Sequence, residues 1–251
     1  LVVVAVLGPR LAPHDPDAVK LTESLRGPSG AHWLGQDGSG RDVLSRLLVG
    51  ARSSLLGPLL VVALSLLGGV PLGLLAGLRG GWVDGVLSRV WDAMFAFPPL
   101  LLAIVIVAAF GAGFWAATLA IALVYVPILA RVVRGLVLVE RTRPYVDACR
   151  VQGFSMVSIG LRHILPNVAP AIVAQSTLNF GYALIDLAGL AFLGLGVQPP
   201  TADWGAMLSE GRQFLRDGPE ELIAASIAIS LTVVAFNVLG DALTDRLGAS
   251  R

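Results

Sequence analysis

Long stretches without charge alternate along this chain with short polar ones. No Asp, Glu, Lys or Arg occurs between Arg52 and Arg79, nor between Asp92 and Arg131. The first run suits one helix across a bilayer, which needs about 20 apolar residues. The second is too long for one span, and Gly111-Ala112-Gly113 divides it into two helices joined by a tight hairpin. Val168 to Gly196, interrupted only by Asp186, predicts a further span, and Leu222 to Gly240 the last. Leu1 to Leu7 is apolar but too short to cross. A processed signal core or the tail of a truncated helix would both read this way, and the absence of a small-residue cleavage pattern favours the helix tail. With it the expected number of spans is six.

Residues 10–52 are polar and rich in Pro and Gly. Within them, apolar positions 43, 44, 47 and 48 follow the spacing of an amphipathic helix, and Arg41 and Arg46 predict that its polar face lies at the membrane interface. Arginine placement sets the orientation. Arg131, Arg134, Arg141, Arg143, Arg150 and Arg162 cluster between the fourth and fifth spans, which predicts a cytoplasmic loop there. By alternation the segments 10–52 and 197–218 lie outside and both chain ends inside. Trp33, Trp82, Trp91, Trp115 and Trp204 fall near predicted span ends, where indole rings anchor helices.

Composition narrows the class. Of 251 residues, 55% are hydrophobic and 14% charged, against about 25% charged in soluble domains. Mean hydropathy is +0.79. A net charge of +1 gives no case for nucleic-acid binding. Cys149 is the sole cysteine, so neither a disulfide framework nor a CxxC metal motif exists. His14 and His32 lie in the external segment and are too few for a metal site, while His163 reads as a packed or interfacial residue. No nucleophile–base set is recognisable, and no GxxxxGK[ST] phosphate loop occurs, so this chain does not cradle ATP by that route.

The stretch from Tyr145 to Pro166 carries the most information. Pro144 suits the first turn of a helix. Gly153 supplies the left-handed residue common at helix C-termini. Ser155 can cap a second helix running to Leu165 and stopped by Pro166. Arg143 and Asp147, four apart, are placed to pair along the first helix. A merely solvated connection needs neither this length nor apolar residues at 157, 161, 164 and 165. The reading favoured here is a compact knob that docks on another protein.

Asp147-Ala148-Cys149, then Gly153, then Leu165-Pro166 resembles the coupling loop of binding-protein-dependent ABC importer permeases, whose pattern is Glu-Ala-Ala, Gly and a later Leu-Pro. Asp for Glu keeps the charge, and Cys149 for the second Ala keeps a small side chain. Residues 34–48 and Gly50-Ala-Arg-Ser-Ser-Leu55, with Gly80-Gly-Trp-Val-Asp84, Phe97-Pro98-Pro99, Arg162-His-Ile-Leu-Pro-Asn167, Ala191-Phe-Leu-Gly-Leu-Gly-Val-Gln-Pro-Pro200 and Trp204-Gly-Ala-Met-Leu208, are similar to the dipeptide/oligopeptide (peptide/nickel) C-type permeases. The resemblance implies an all-α, six-helix type I importer permease in the bacterial inner membrane. Residues 1–9 would end the first helix and 10–52 form an external segment. Residues 53–251 would form the permease core, with a cytoplasmic coupling loop at 141–167 and an external loop at 197–218. It further implies a homologous second permease, two ATPase subunits holding ATP and Mg2+, an external binding protein, and no cofactor on this chain. Tyr145, Asp147, Ala148, Cys149, Gly153, Arg162, Leu165 and Pro166 would couple to the ATPases. Peptide is the implied cargo, with nickel, glutathione or haem as alternatives. A gradient-driven secondary transporter is a weaker rival, since no inverted repeat is apparent.

Two sets within the spans remain. Gly69, Gly73 and Gly77 recur every four residues and read as a packing seam, or with Pro71 as a hinge. Gln175, Asn179, Tyr182 and Asp186 fall on one helix face, and Ser226, Ser230, Asn237 and Asp241 on one face of the last span. Polar groups in hydrocarbon need a neighbouring helix or a wet cavity. Either a translocation path or interhelical bonding fits Gln175 and Asn179. Asp186 leans towards the path, or pairs with an arginine of the second permease. Asp203, Glu210 and Asp217 either meet a binding protein or are simply solvated.

Overall fold

A computed structural model describes residues 2–248. Among them no strand occurs, and the helices run α1 Val2–Leu11, α2 Val43–Arg79, α3 Gly81–Phe95, α4 Pro99–Phe110, α5 Phe114–Glu140, α6 Pro144–Val151, α7 Met156–Ile159, α8 Leu165–Phe192, α9 Trp204–Gly211 and α10 Glu220–Gly248. Among the described residues, four helical stretches are long and apolar enough to cross a membrane. A fifth arises if α3 and α4 count as one broken span, and the sixth expected span corresponds to the short α1.

The amphipathic stretch at 43–48 is not a separate surface helix. It forms the first turns of α2, a continuous helix of 37 residues. At 1.5 Å per residue this reaches about 55 Å, far beyond the roughly 30 Å hydrocarbon core, so one end must stand clear of it. Asp42 caps that end, its side chain accepting from the Ser45 N–H at 2.8 Å.

The hairpin at Gly111–Gly113 separates α4 from α5. The turn before α4 is sharper than the hydropathy run implies, because α3 and α4 meet at 85°. Its cause lies in Phe97-Pro98-Pro99: a residue before proline is driven out of the α region, and Pro99 then starts a new helix.

The most intimate helix pair is α2 with α5, and the glycine seam explains it. A Cβ on Gly69 would lie 2.9 Å from the Val126 carbonyl oxygen, and one on Gly77 2.7 Å from Val137 Cβ. On Gly73 it would collide with the Ala130 carbonyl oxygen. The backbones touch only because these side chains are missing. Helix α2 also runs unbroken through Pro58 and Pro71. The main core then gathers on Val61, Val107, Ile121, Tyr125 and Leu190 between α2, α4, α5 and α8.

Several charges fall elsewhere than expected. Arg131 and Arg134 belong to α5 rather than to a loop, and they pair with Asp92 and Asp84 of α3. Arg41 and Arg46 do not line an interface: their side chains are 8% and 0% exposed. Arg41 Nε donates to Asp37 at 2.6 Å and its Nη2 to Glu210, while Arg46 Nη2 donates to Glu210 at 3.1 Å and Arg46 Nε lies 3.9 Å from Glu221. Burial works against the Arg41 charge, but Asp37 and Glu210 outweigh it and raise its pKa further. Glu210 is thereby engaged, and Asp203 is buried as the cap of α9, so only Asp217 of that trio stands exposed. Trp91 and Trp204 are buried rather than interfacial, whereas Trp33, Trp82 and Trp115 are exposed.

Candidate functional site

At the Arg79 end of α2, the chain after α5 folds into the expected pair of short helices. Pro144 opens α6, and Gly153 follows it with φ +85°. The Gly153 N–H bonds the Arg150 carbonyl at 2.9 Å, and the Phe154 N–H bonds that of Cys149 at 3.1 Å, closing the turn. Nothing lies near a Cβ built on Gly153, so backbone conformation alone demands glycine there. Ser155 caps α7 by accepting from the Ser158 N–H at 3.2 Å.

Beyond this point the path differs from expectation. Pro166 does not stop the second helix: a π turn over Gly160–Ile164 carries the chain straight into α8. The Leu165 N–H reaches five residues back to Gly160, and this wider turn lets the proline sit in the first turn of the next α segment, where it lacks no needed bond. The knob is therefore continuous with a membrane span. The ion pairs also differ: Arg143 joins Glu140 at 3.3 Å, and Asp147 joins Arg150 at 3.0 Å.

The rear of the knob is fastened to three spans. Val146, Ile159 and Ile164 are fully buried in one cluster with Leu74, Leu129 and Val133. Gly160 packs against Leu78 of α2, and Arg141 donates to the Gly77 carbonyl at 2.8 Å. Glu140, buried at the end of α5, accepts from Tyr145 Oη at 3.0 Å and Asn167 Nδ2 at 3.3 Å, and Asn167 also donates to Tyr145 Oη at 3.1 Å. Burial raises the Tyr145 phenol, with Glu140 adding to it against the Asn167 bond, so it stays a neutral donor. Sequence reasoning missed Glu140, whose signal was an acid set between Arg134 and Arg141, six residues before Val146. The front is open: Val151 is 89% exposed, Val157 67%, Leu161 52% and Phe154 40%. Asp147, Ala148, Arg162 and Pro166 are exposed around them, with Cys149 and Leu165 half-buried. His163 stacks edge-on against Phe154 at 5.8 Å.

The polar face of α8 lines a cavity of about 390 Å3 that includes Gln175, Asn179, Tyr182 and Asp186, closed by Tyr125, Ile128 and Leu100. Tyr125 Oη donates to Asp186 at 2.9 Å, and Gln175 Nε2 to Asn179 Oδ1 at 3.0 Å. Asn179 is buried, yet its Nδ2 has no hydrogen-bond partner among the described residues. Asp186 thus has a neutral partner within its own chain, on α5, that sequence spacing gave no hint of. Ser230 and Asn237 do not join this wall. Ser230 is exposed, and Asn237 lies over Gly181 on another side of α8, where a Cβ would come within 3.3 Å of it.

Apolar spans, a knob rigidly joined to three of them and a polar-lined cavity define an integral membrane transport subunit. The chain belongs to the family of binding-protein-dependent transport system inner membrane components, whose description matches residues 69–250. It is 42% identical over 246 residues to the dipeptide transport system permease protein DppC of Alkalihalophilus pseudofirmus, covering 98% of this chain and 81% of that one. It is 43% identical over 248 residues to the glutathione transport system permease protein GsiD of Pectobacterium atrosepticum, covering 98% and 82%. An inward-facing structure of the MetNI methionine ABC transporter shares the fold at TM-score 0.66 and 18% identity, covering 80% of this chain and 95% of that one. The fold is that of a type I ABC importer permease, and members of the family are multi-pass inner-membrane transport components rather than enzymes. Such subunits work with a partner permease, ATPases and a binding protein.

Proposed function

We propose that this chain forms half of the pore of an ATP-driven importer of short peptides, beside a homologous but distinct second permease. The α6–α7 knob seats in one of two cytoplasmic ATPase subunits, which hold the ATP and Mg2+. The observation that carries this reading is an apolar front on a knob whose rear is locked to α2, α5 and α8. Exposed contiguous apolar surface marks a partner, and a rigid link converts the partner's movement into helix tilt. Both relatives are named for short peptide or peptide-like cargo, glutathione being a tripeptide.

In this reading α9 and residues 10–42 face outward, where the binding protein delivers cargo. The cavity on α8 belongs to the path: Asn179 Nδ2 offers a free donor, and Asp186, held by Tyr125, offers a carboxylate to the amino end of a peptide. The test is reconstitution with the co-expressed neighbours. The proposal expects co-elution of an ATPase and hydrolysis stimulated by binding protein loaded with dipeptide. Uptake that persists without ATP under a proton or sodium gradient overturns it. Stimulation by nickel-loaded or haem-loaded binding protein, with none by peptide, overturns the cargo alone.

A further inference from the structure

Two histidines far apart in the chain meet at the capped end of α2. His14 follows α1, and His32 lies in the loop ahead of α2. Both converge on Asp42, which is buried. His32 Nδ1 lies 2.8 Å from Asp42 Oδ1, and His14 Nδ1 lies 3.8 Å from Oδ2. The two rings are 4.5 Å apart, and one donor atom from each of the three residues falls within 4.8 Å of the others. Counted as histidines alone, these residues make no site. The fold adds the carboxylate.

Two features set the cluster apart from an ordinary His–Asp hydrogen bond. The first is that, among the described residues, His14 Nδ1 is buried without a hydrogen-bond partner, an arrangement a purely structural histidine has no reason to keep. The second is an outer shell already in place. The Ser45 hydroxyl donates to Asp42 Oδ2 at 2.6 Å and accepts the His14 backbone N–H at 3.0 Å, so one side chain fixes the Asp42 carboxylate and ties the His14 backbone to it. Hydrogen bonds of this kind fix ligand direction in metal sites.

We propose that His14, His32 and Asp42 bind one divalent transition-metal ion, Zn2+ or Ni2+, through two imidazole nitrogens and Asp42 Oδ1. Two nitrogens and a carboxylate oxygen suit such borderline ions, and for Zn2+ they leave the fourth tetrahedral position to water. For binding, neutral His32 carries its proton on Nε2 so that the Nδ1 lone pair faces the ion. The His32–Asp42 hydrogen bond is then replaced by a nitrogen–metal–oxygen bridge with no net change of protonation. His14 is 39% exposed, which gives the ion a way in. Once bound, the ion staples the segment after α1 and the loop before α2 onto the first turn of α2. The proposal is independent of the cargo and of the ATPase assignment.

The test uses the purified full transporter complex, stripped with chelator and titrated with Zn2+ by calorimetry and with Co2+ by visible absorption. The wild type should take one equivalent more than the His14→Ala variant, with Co2+ ligand-field bands of a four-coordinate site and a melting temperature raised by Zn2+ and lowered again by chelator. His32→Ala should lose affinity by at least about tenfold, and Ser45→Ala by about 10–100-fold with the stoichiometry kept. His14→Gln serves as a second variant that keeps side-chain volume. Equal Zn2+ uptake and equal melting shifts in wild type, His14→Ala and His14→Gln would overturn the proposal, as would the absence of saturable binding in the wild type.

Discussion

At the Val43 end of α2, the charged side chains of Asp37, Arg41, Arg46, Glu210 and Glu221 pair with one another inside the chain, while at the Arg79 end Val151, Val157 and Leu161 stand open to solvent. The same long helix thus joins a closed ionic cluster to an unfinished apolar surface. Buried charges are tolerated only when their partners are at hand, and at the first end the ion-pair partners come from this chain. Apolar side chains on a knob whose rear is already fastened gain nothing within this chain, and the proposed function seats another subunit on this second end. Substitutions at the first end should therefore cost stability, and those at the second should cost assembly.

The largest effect is expected at Arg46. Its guanidinium is fully buried among three carboxylates, and removing it leaves Arg41 as the one cation among the described residues that pairs with Asp37 and Glu210. Arg46→Ala should lower stability by about 3–5 kcal/mol, read from thermal unfolding in detergent. Adding Glu210→Ala should recover part of the loss, and strict additivity would show that the pair does not interact.

Next comes the seam that connects the two ends. Gly73→Val places a side chain against the Ala130 carbonyl and should cost about 1–3 kcal/mol, again in unfolding. A neutral result would mean that α2 and α5 separate easily there. Smaller still is Gly153→Val, where the left-handed backbone costs about 1–2 kcal/mol locally. Global melting should barely move, yet transport should uncouple from ATP hydrolysis. Normal coupling in that variant would contradict the turn's role. Asp186→Asn keeps an acceptor for Tyr125 and should leave melting and ATPase docking unchanged while altering peptide uptake. Unchanged uptake with lost assembly would mark the residue as structural.

How far these features could be read from residues alone depends on the reach of each interaction. The hairpin at 111–113, the Pro144 start, the Gly153 turn and the Ser155 cap are set by neighbours a few positions away, and they were legible. So was the Gly69–Gly73–Gly77 spacing, because helical periodicity is local. Arg41 and Arg46 read as interfacial because their partner Glu210 stands more than 160 positions on, at separations of 169 and 164. The partnership of Asp186 with Tyr125 was hidden for the same reason. Pro166 misled differently: a proline normally ends a helix, but a π turn just ahead of it absorbs the missing bond.

The most direct test of the difference between the ends is the affinity of the ATPase for the permease complex carrying Val157→Asp, beside its melting curve. Val157 is exposed on the knob and lies outside the cluster that buries its rear, so stability should stay within about 0.5 kcal/mol of wild type. ATPase binding should fall by about 2 kcal/mol, roughly 30-fold, as expected for a buried anchor in an interface. Wild-type affinity together with unchanged melting would contradict the claim that the open end of this bundle is where the ATPase docks.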